Sequence, residues 1–188
     1  VRGEVRKFAV IRLDLLGGLF FLGLRFNDQL TDSWPASAGD FRGWASMDEK
    51  LILFTERKPF VIYGTGPNTA GTYSNYSEPQ EIPSDVGCLD SKSILEMPLG
   101  VIFKSLKGFC LLGRDLQVRY IGEGVAEFDS YTITSAVLLE DRHECRFGTN
   151  STAHPQLVYS YLGEGQWSTN SYVDEAYVTL DAVWWPVQ

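Results

Sequence analysis

The chain has 188 residues, with 16 Lys and Arg against 24 Asp and Glu, for a formal net charge of −8. That length suits one domain, or a piece of a larger one, and can bury a core without staples. The acidic balance argues against wrapping a phosphate backbone, where affinity comes from Lys and Arg displacing counterions. Hydrophobic residues at 44% and charged residues at 21% exclude wholesale disorder, and 13% aromatics favour strands.

Residues 1–43 match the later pattern poorly and read as N-terminal strands or a truncated blade. Arg2, Arg6, Lys7 and Arg12 precede the apolar run Leu15–Leu24, which has the layout of a signal peptide. Asp14 at the edge of the run, and the long gap to Ala36-Ser37-Ala38, weigh against that reading. The run is also well short of the roughly 20 residues that a membrane span needs.

From residue 44 to 188 the chain reads as all-β. No segment keeps apolar residues at helical spacing with caps at both ends. Hairpins are placed near 51–64, 100–113, 133–147 and 157–168. Each has two short apolar runs around a polar turn; in the second, Val101–Phe103 and Phe109–Leu112 flank Lys104–Gly108. The first two hairpins echo one another at a constant offset of 49. Ile52 then meets Val101, Phe54 meets Phe103, Phe60 meets Phe109 and Gly64 meets Gly113. A second echo sets Tyr120–Gly124 against Tyr161–Gly165, 41 residues on. Strand-rich units recurring every ~40–50 residues are the pattern of a β-propeller, one four-stranded blade per repeat. The predicted fold is therefore β-propeller-like blades built from antiparallel hairpins, as a minimal four-bladed propeller or, preferred, an incomplete one: an open arc of blades or a fragment. Thr65–Pro79, rich in turn residues and tyrosines, is the longest loop and the first choice for a contact surface.

Chemistry-bearing residues are sparse. Cys88, Cys110 and Cys145 fit neither a disulfide framework nor zinc-ligand spacing. His143 and Cys145, two apart on an expected strand, face the same way, with Glu140, Asp141, Glu144 and His154 near them. A solvated hairpin end explains that run better than a metal site or a Cys–His dyad. Asp85, Asp115 and Asp141 are candidate carboxylates for glycoside hydrolysis, but nothing singles out a pair. Gly64/Gly66, Gly122/Gly124 and Gly163/Gly165 read as turns, since no Gly-Lys-Ser/Thr and no helix follows them. Trp184-Trp185 could stack on a sugar, or sit in a closing strand. Asn75-Tyr-Ser77 and Asn150-Ser-Thr152 matter only in a secreted protein. The sequence thus assigns no catalytic, cofactor-binding or metal residue and no cofactor, and predicts no enzyme.

Five elements in order carry a resemblance. They are Met47–Phe54, Ile82–Cys88 with Asp85-Val-Gly-Cys88, Gly100–Gly108, Arg114–Gly122, and Leu157–Ser168. Over residues 44–185 this order resembles the β-propeller portion of tail nozzle (tail tubular) proteins of short-tailed phages and related prophages. Phe109-Cys110 stands where that family has Ile-Tyr, and Ser160 where it has Asp. The resemblance implies a virion structural protein, assembled in the host cytoplasm, in a ring that extends the tail tube. Its partners would be other tail or portal-adaptor subunits, with DNA only as non-specific cargo in the lumen. It also implies that the chain is a piece of a longer subunit. The alternatives are a secreted or periplasmic propeller or sandwich domain that binds or hydrolyses carbohydrate, and an accessory β-domain of a larger unrelated protein.

Overall fold

The computed structural model describes residues 35–64 and 76–170, together with the backbone of 177–178 and 183–184. The run Leu15–Leu24, the loop 65–75 and the side chains of Trp184 and Trp185 lie outside the described residues.

The described chain is all-β. Its three main sheets are open and four-stranded, and each takes its strands in sequence order. Sheet 1 holds β1 (Phe41–Met47), β2 (Lys50–Thr55), β3 (Pro59–Tyr63) and β4 (Gln80–Glu81). Sheet 2 holds β5 (Asp90–Met97), β6 (Gly100–Ser105), β7 (Gly108–Gly113) and β8 (Val118–Tyr120). Sheet 3 holds β9 (Ile133–Leu139), β10 (Glu144–Thr149), β11 (Gln156–Ser160) and β12 (Gln166–Asn170). A short hairpin of β13 (Tyr177–Val178) and β14 (Val183–Trp184) follows. The four hairpins read from the sequence are thus present. The 3-10 turns Ala36–Ala38, Glu123–Phe128 and Glu140–Arg142 are the only helical pieces among the described residues.

Alternation along the strands builds the stack. On β2 and β3, Ile52, Phe54 and Val61 face sheet 2, whereas Leu53, Phe60 and Ile62 face the other way. Val101, Phe103, Cys110 and Leu112 of sheet 2 meet the first set and complete one core. Ile102, Phe109 and Leu111, on the opposite face of sheet 2, join Cys145, Phe147, Leu157 and Tyr159 of sheet 3 in a second core. The sheets approach most closely through their first strands, β1 on β5 and β5 on β9. Small residues allow this approach: a Cβ on Gly43 would come within 2.6 Å of Ile94 Cδ1.

The structure corrects the repeat register by one residue. Lys50 pairs with Tyr63, as Gly100 pairs with Gly113, so corresponding positions are 50 apart. The offset of 49 matched residues that lie on opposite faces, because a one-residue slip turns every side chain over. Phe54 and Phe103, aligned at 49, are not equivalent. They face each other across the first core with ring centroids 4.9 Å apart. The second echo also separates: Tyr120 ends β8, whereas residues 161–165 form the turn between β11 and β12.

The corrected register exposes a better repeat. The last residue of the second strand in each of the three main sheets is a hydroxyl: Thr55, Ser105 or Thr149. Each donates to a carbonyl closing the following turn, Lys58 O at 2.8 Å, Gly108 O at 2.8 Å or His154 O at 2.6 Å. Each also accepts a turn amide, from Lys58, Lys107 or Ser151. A short hydroxyl side chain can do both because it sits within reach of its own turn's backbone.

Candidate functional site

The tips of the first hairpins of the three sheets surround an open depression of about 440 Å³. Asp48 comes from the β1–β2 turn, Glu96 and Pro98 from β5 and its turn, Arg114 from the β7–β8 turn and Glu140 from the turn after β9. Buried Met47 and Met97 line it from below.

The charges here join sheets 1 and 2. Arg114 donates from Nε to Pro98 O at 2.8 Å and from Nη1 to Asp48. Lys50 Nζ lies 3.5 Å from Asp48 Oδ2. The Glu96 carboxylate receives the Ser46 amide, and Ser46 Oγ at 3.5 Å. These groups tie β1 to β5 and one turn to the next.

The sequence candidates are dispersed. His143 is not on a strand. It caps the 3-10 turn Glu140–Arg142 in the left-handed region (φ +56°), exposed, with its ring 5.5 Å from Tyr161. Cys145 is buried against sheet 2, where desolvation pushes its thiol up to about 12. A thiol with so high a pKa is a poor nucleophile at neutral pH. Cys88 is likewise pushed up to about 12, and burial raises Cys110. His154 stacks on Phe128 at 4.8 Å with its Nδ1 buried and unpaired. Among the described residues, no three His, Cys, Asp or Glu side chains gather closely enough to hold a metal ion.

The three candidate carboxylates occupy separate loops. Asp85 pairs with Lys107, whose hydrogen bond and charge hold the carboxyl below its ordinary value. Asp115 pairs with Arg119 at 2.5 Å. Asp141 lies exposed on the 3-10 turn after β9. A glycosidase pair must face across a cleft, and these three stand on the crossover before β5, the β7–β8 turn and the turn after β9.

The motif residues do mechanical work. A Cβ on Gly87 of Asp85-Val-Gly-Cys88 would lie 2.4 Å from Thr55 O and 2.5 Å from the Arg57 and Lys58 amides. Only glycine lets the crossover from sheet 1 to sheet 2 lie this close to the turn. Cys88 N then donates to Thr55 O at 2.9 Å, and its side chain enters the first core. Trp167 of the last motif hydrogen-bonds Ile121 O at 2.6 Å and stacks among Phe109, Phe147 and Tyr159.

Sequence reading missed Lys104. By its pattern it belongs to the polar turn 104–108, whereas the structure makes it a strand residue with a side chain only 2% exposed. Its position on β6, between buried Phe103 and Ser105, was the available signal.

No family model and no curated protein matches this chain.

Proposed function

We propose that the three sheets are blades of a β-propeller, and that the chain is a structural part of a phage tail nozzle without catalytic activity. One observation carries the reading. Three residues of the elements that carry the nozzle resemblance, Gly87, Cys88 and Trp167, serve as joints within and between the sheets. A likeness made of joints is a likeness of architecture. Three sheets in sequence order, meeting through their first strands, also suit radial blades, which bury against neighbours what one small sheet cannot bury alone.

In this reading the full subunit forms a homo-oligomeric ring in the virion, bound to other tail or portal-adaptor subunits. DNA passes through its lumen without sequence-specific contact. A net charge of −8 suits a conduit in which phosphates must slide without sticking.

Sequencing the DNA around the gene tests the proposal. The reading expects further hairpin repeats in frame and portal or tail genes alongside, with peptides of this chain in purified virions. A gene lying among secretion or metabolic genes, with no such peptides in particles, would overturn it.

A further inference from the structure

A charge cluster of buried Lys104 and half-buried Asp90 and Asp129 holds the junction between sheets 2 and 3, away from the depression. Lys104 Nζ donates to the Tyr131 carbonyl and lies 3.4 Å from Asp90 Oδ2. The same Asp90 oxygen accepts the Ile133 amide at 3.0 Å. Cation and carboxylate together grip the chain on both sides of Thr132, where it enters β9. Two residues before Tyr131, Asp129 caps the 3-10 turn Glu123–Phe128. Its carboxylate stands over Gly108 (φ +98°), where a Cβ would lie 2.8 Å from both oxygens. Asp129 Oδ1 is sealed from water and has no hydrogen-bond partner.

The cluster therefore holds one cation and two carboxylates. With all three ionised, one negative charge is unbalanced and one of its oxygens lacks a donor. Shutting that oxygen from water disfavours the charged form, and a proton on the carboxylate relieves this. The charge of Lys104, on β6, reaches Asp129, whereas Cys110 on β7 and Tyr120 on β8 sense the Asp129 charge. Asp90 stands beyond Lys104, already committed to Ile133.

We propose that Asp129 is a proton-operated latch on the junction between sheets 2 and 3. The junction is firmest with a proton on Asp129 and looser once that proton leaves, while the Lys104–Asp90 pair holds in both states.

Desolvation raises the Asp129 carboxyl above its ordinary value, and the Lys104 charge offsets only part of this. The folded pKa thus lies above the unfolded one. The stability that the proton confers is complete below the unfolded value and is lost as pH rises through the folded value. Asp85, held low by Lys107, has the opposite sign. A whole-molecule melting curve mixes the two, so the readout must be local.

Amide hydrogen exchange at Ile133 and along β9, corrected for intrinsic rates, reads this junction directly. It is followed in the full chain from about pH 4 to about pH 7.5, spanning the ordinary carboxylate value and above it. In the parent chain, protection should fall several-fold as pH rises. In Asp129→Asn it should stay at the higher level throughout, and likewise in Asp129→Ala. Carboxyl carbon-13 titration of the parent chain should place the Asp129 midpoint above the ordinary value, and this result stands even if a variant fails to fold. A midpoint at or below the ordinary value, or the same fall in protection in both variants, would overturn the proposal.

Discussion

At the junction of sheets 1 and 2, Phe54 and Phe103 meet in an apolar core, and the polar ties lie at the rim. Arg114 reaches Asp48 with both side chains over 40% exposed, and Lys107 reaches Asp85 further out still. At the junction of sheets 2 and 3, Phe109 and Phe147 meet with centroids 4.8 Å apart, but here the ion pair lies inside. Lys104 and Asp90 are 2% and 15% exposed. Strand order is the same on both sides, so pairing within a sheet does not dictate how sheets are joined. The difference lies in how much water reaches the charges, and water sets what a charge pair is worth.

The largest effect should come from the buried pair. Lys104→Ala leaves Asp90 buried without its cation and removes the donor to Tyr131 O. Breaking a buried pair in this way costs about 3–5 kcal/mol. Urea unfolding measures it, and a loss near that of an exposed pair would remove the contrast between the junctions.

The apolar halves should prove equal. Phe103→Ala in the first core and Phe147→Ala in the second each remove a fully buried ring, at about 3–5 kcal/mol apiece. Unequal values in the same denaturation series would mean that Trp167, 6.0 Å from Phe147, supports one core and not the other.

The crossover comes next. Gly87→Ala drives a methyl into Thr55 O and the Arg57 and Lys58 amides, which belong to backbone and can yield only by moving the turn. Overpacking of this kind costs about 1–3 kcal/mol. The counterpart on the second junction is a hydrogen bond: Trp167→Phe keeps the ring packing and loses the bond to Ile121 O, at about 1 kcal/mol. Thermal unfolding of the two variants ranks them, and the reverse order would show that the turn gives way more readily than its contacts imply.

The legible part of this fold was the apolar alternation. β2, β3, β6 and β7 announce themselves through Ile52, Phe54, Val101 and Phe103, and their hairpins stand where the pattern put them. β1 and β5 do not, because the strands that meet at the centre of the stack are made of residues such as Gly43, Ala45, Ser91 and Ser93. The close approach requires small side chains, and these erase the pattern that marks a strand. The register of the echo went astray for a related reason. With apolar residues on both faces of β2 and β6, a slip of one still matches apolar to apolar, and only the turn hydroxyls fix the count. Lys104 read as a loop residue because a sequence does not show that Asp90 and Tyr131 will surround it. The depression between the hairpin tips was invisible for the same reason, since Asp48 and Arg114 are 66 residues apart.

The smallest effect is also the sharpest test of the contrast. Asp48→Asn removes the rim charge that Arg114 and Lys50 share, and both partners stay in contact with water. Arg114 keeps its bond to Pro98 O. The loss should fall within about 0–1 kcal/mol. Added salt should erase it, because the Debye length shrinks to about 3 Å at 1 M. The Lys104→Ala loss should barely respond to the same salt, since ions do not enter the second junction. Denaturation of the two variants at low and high salt therefore separates a charge pair that water has already weakened from one that folding has shut away. If both losses respond alike, burial is not what distinguishes the joints.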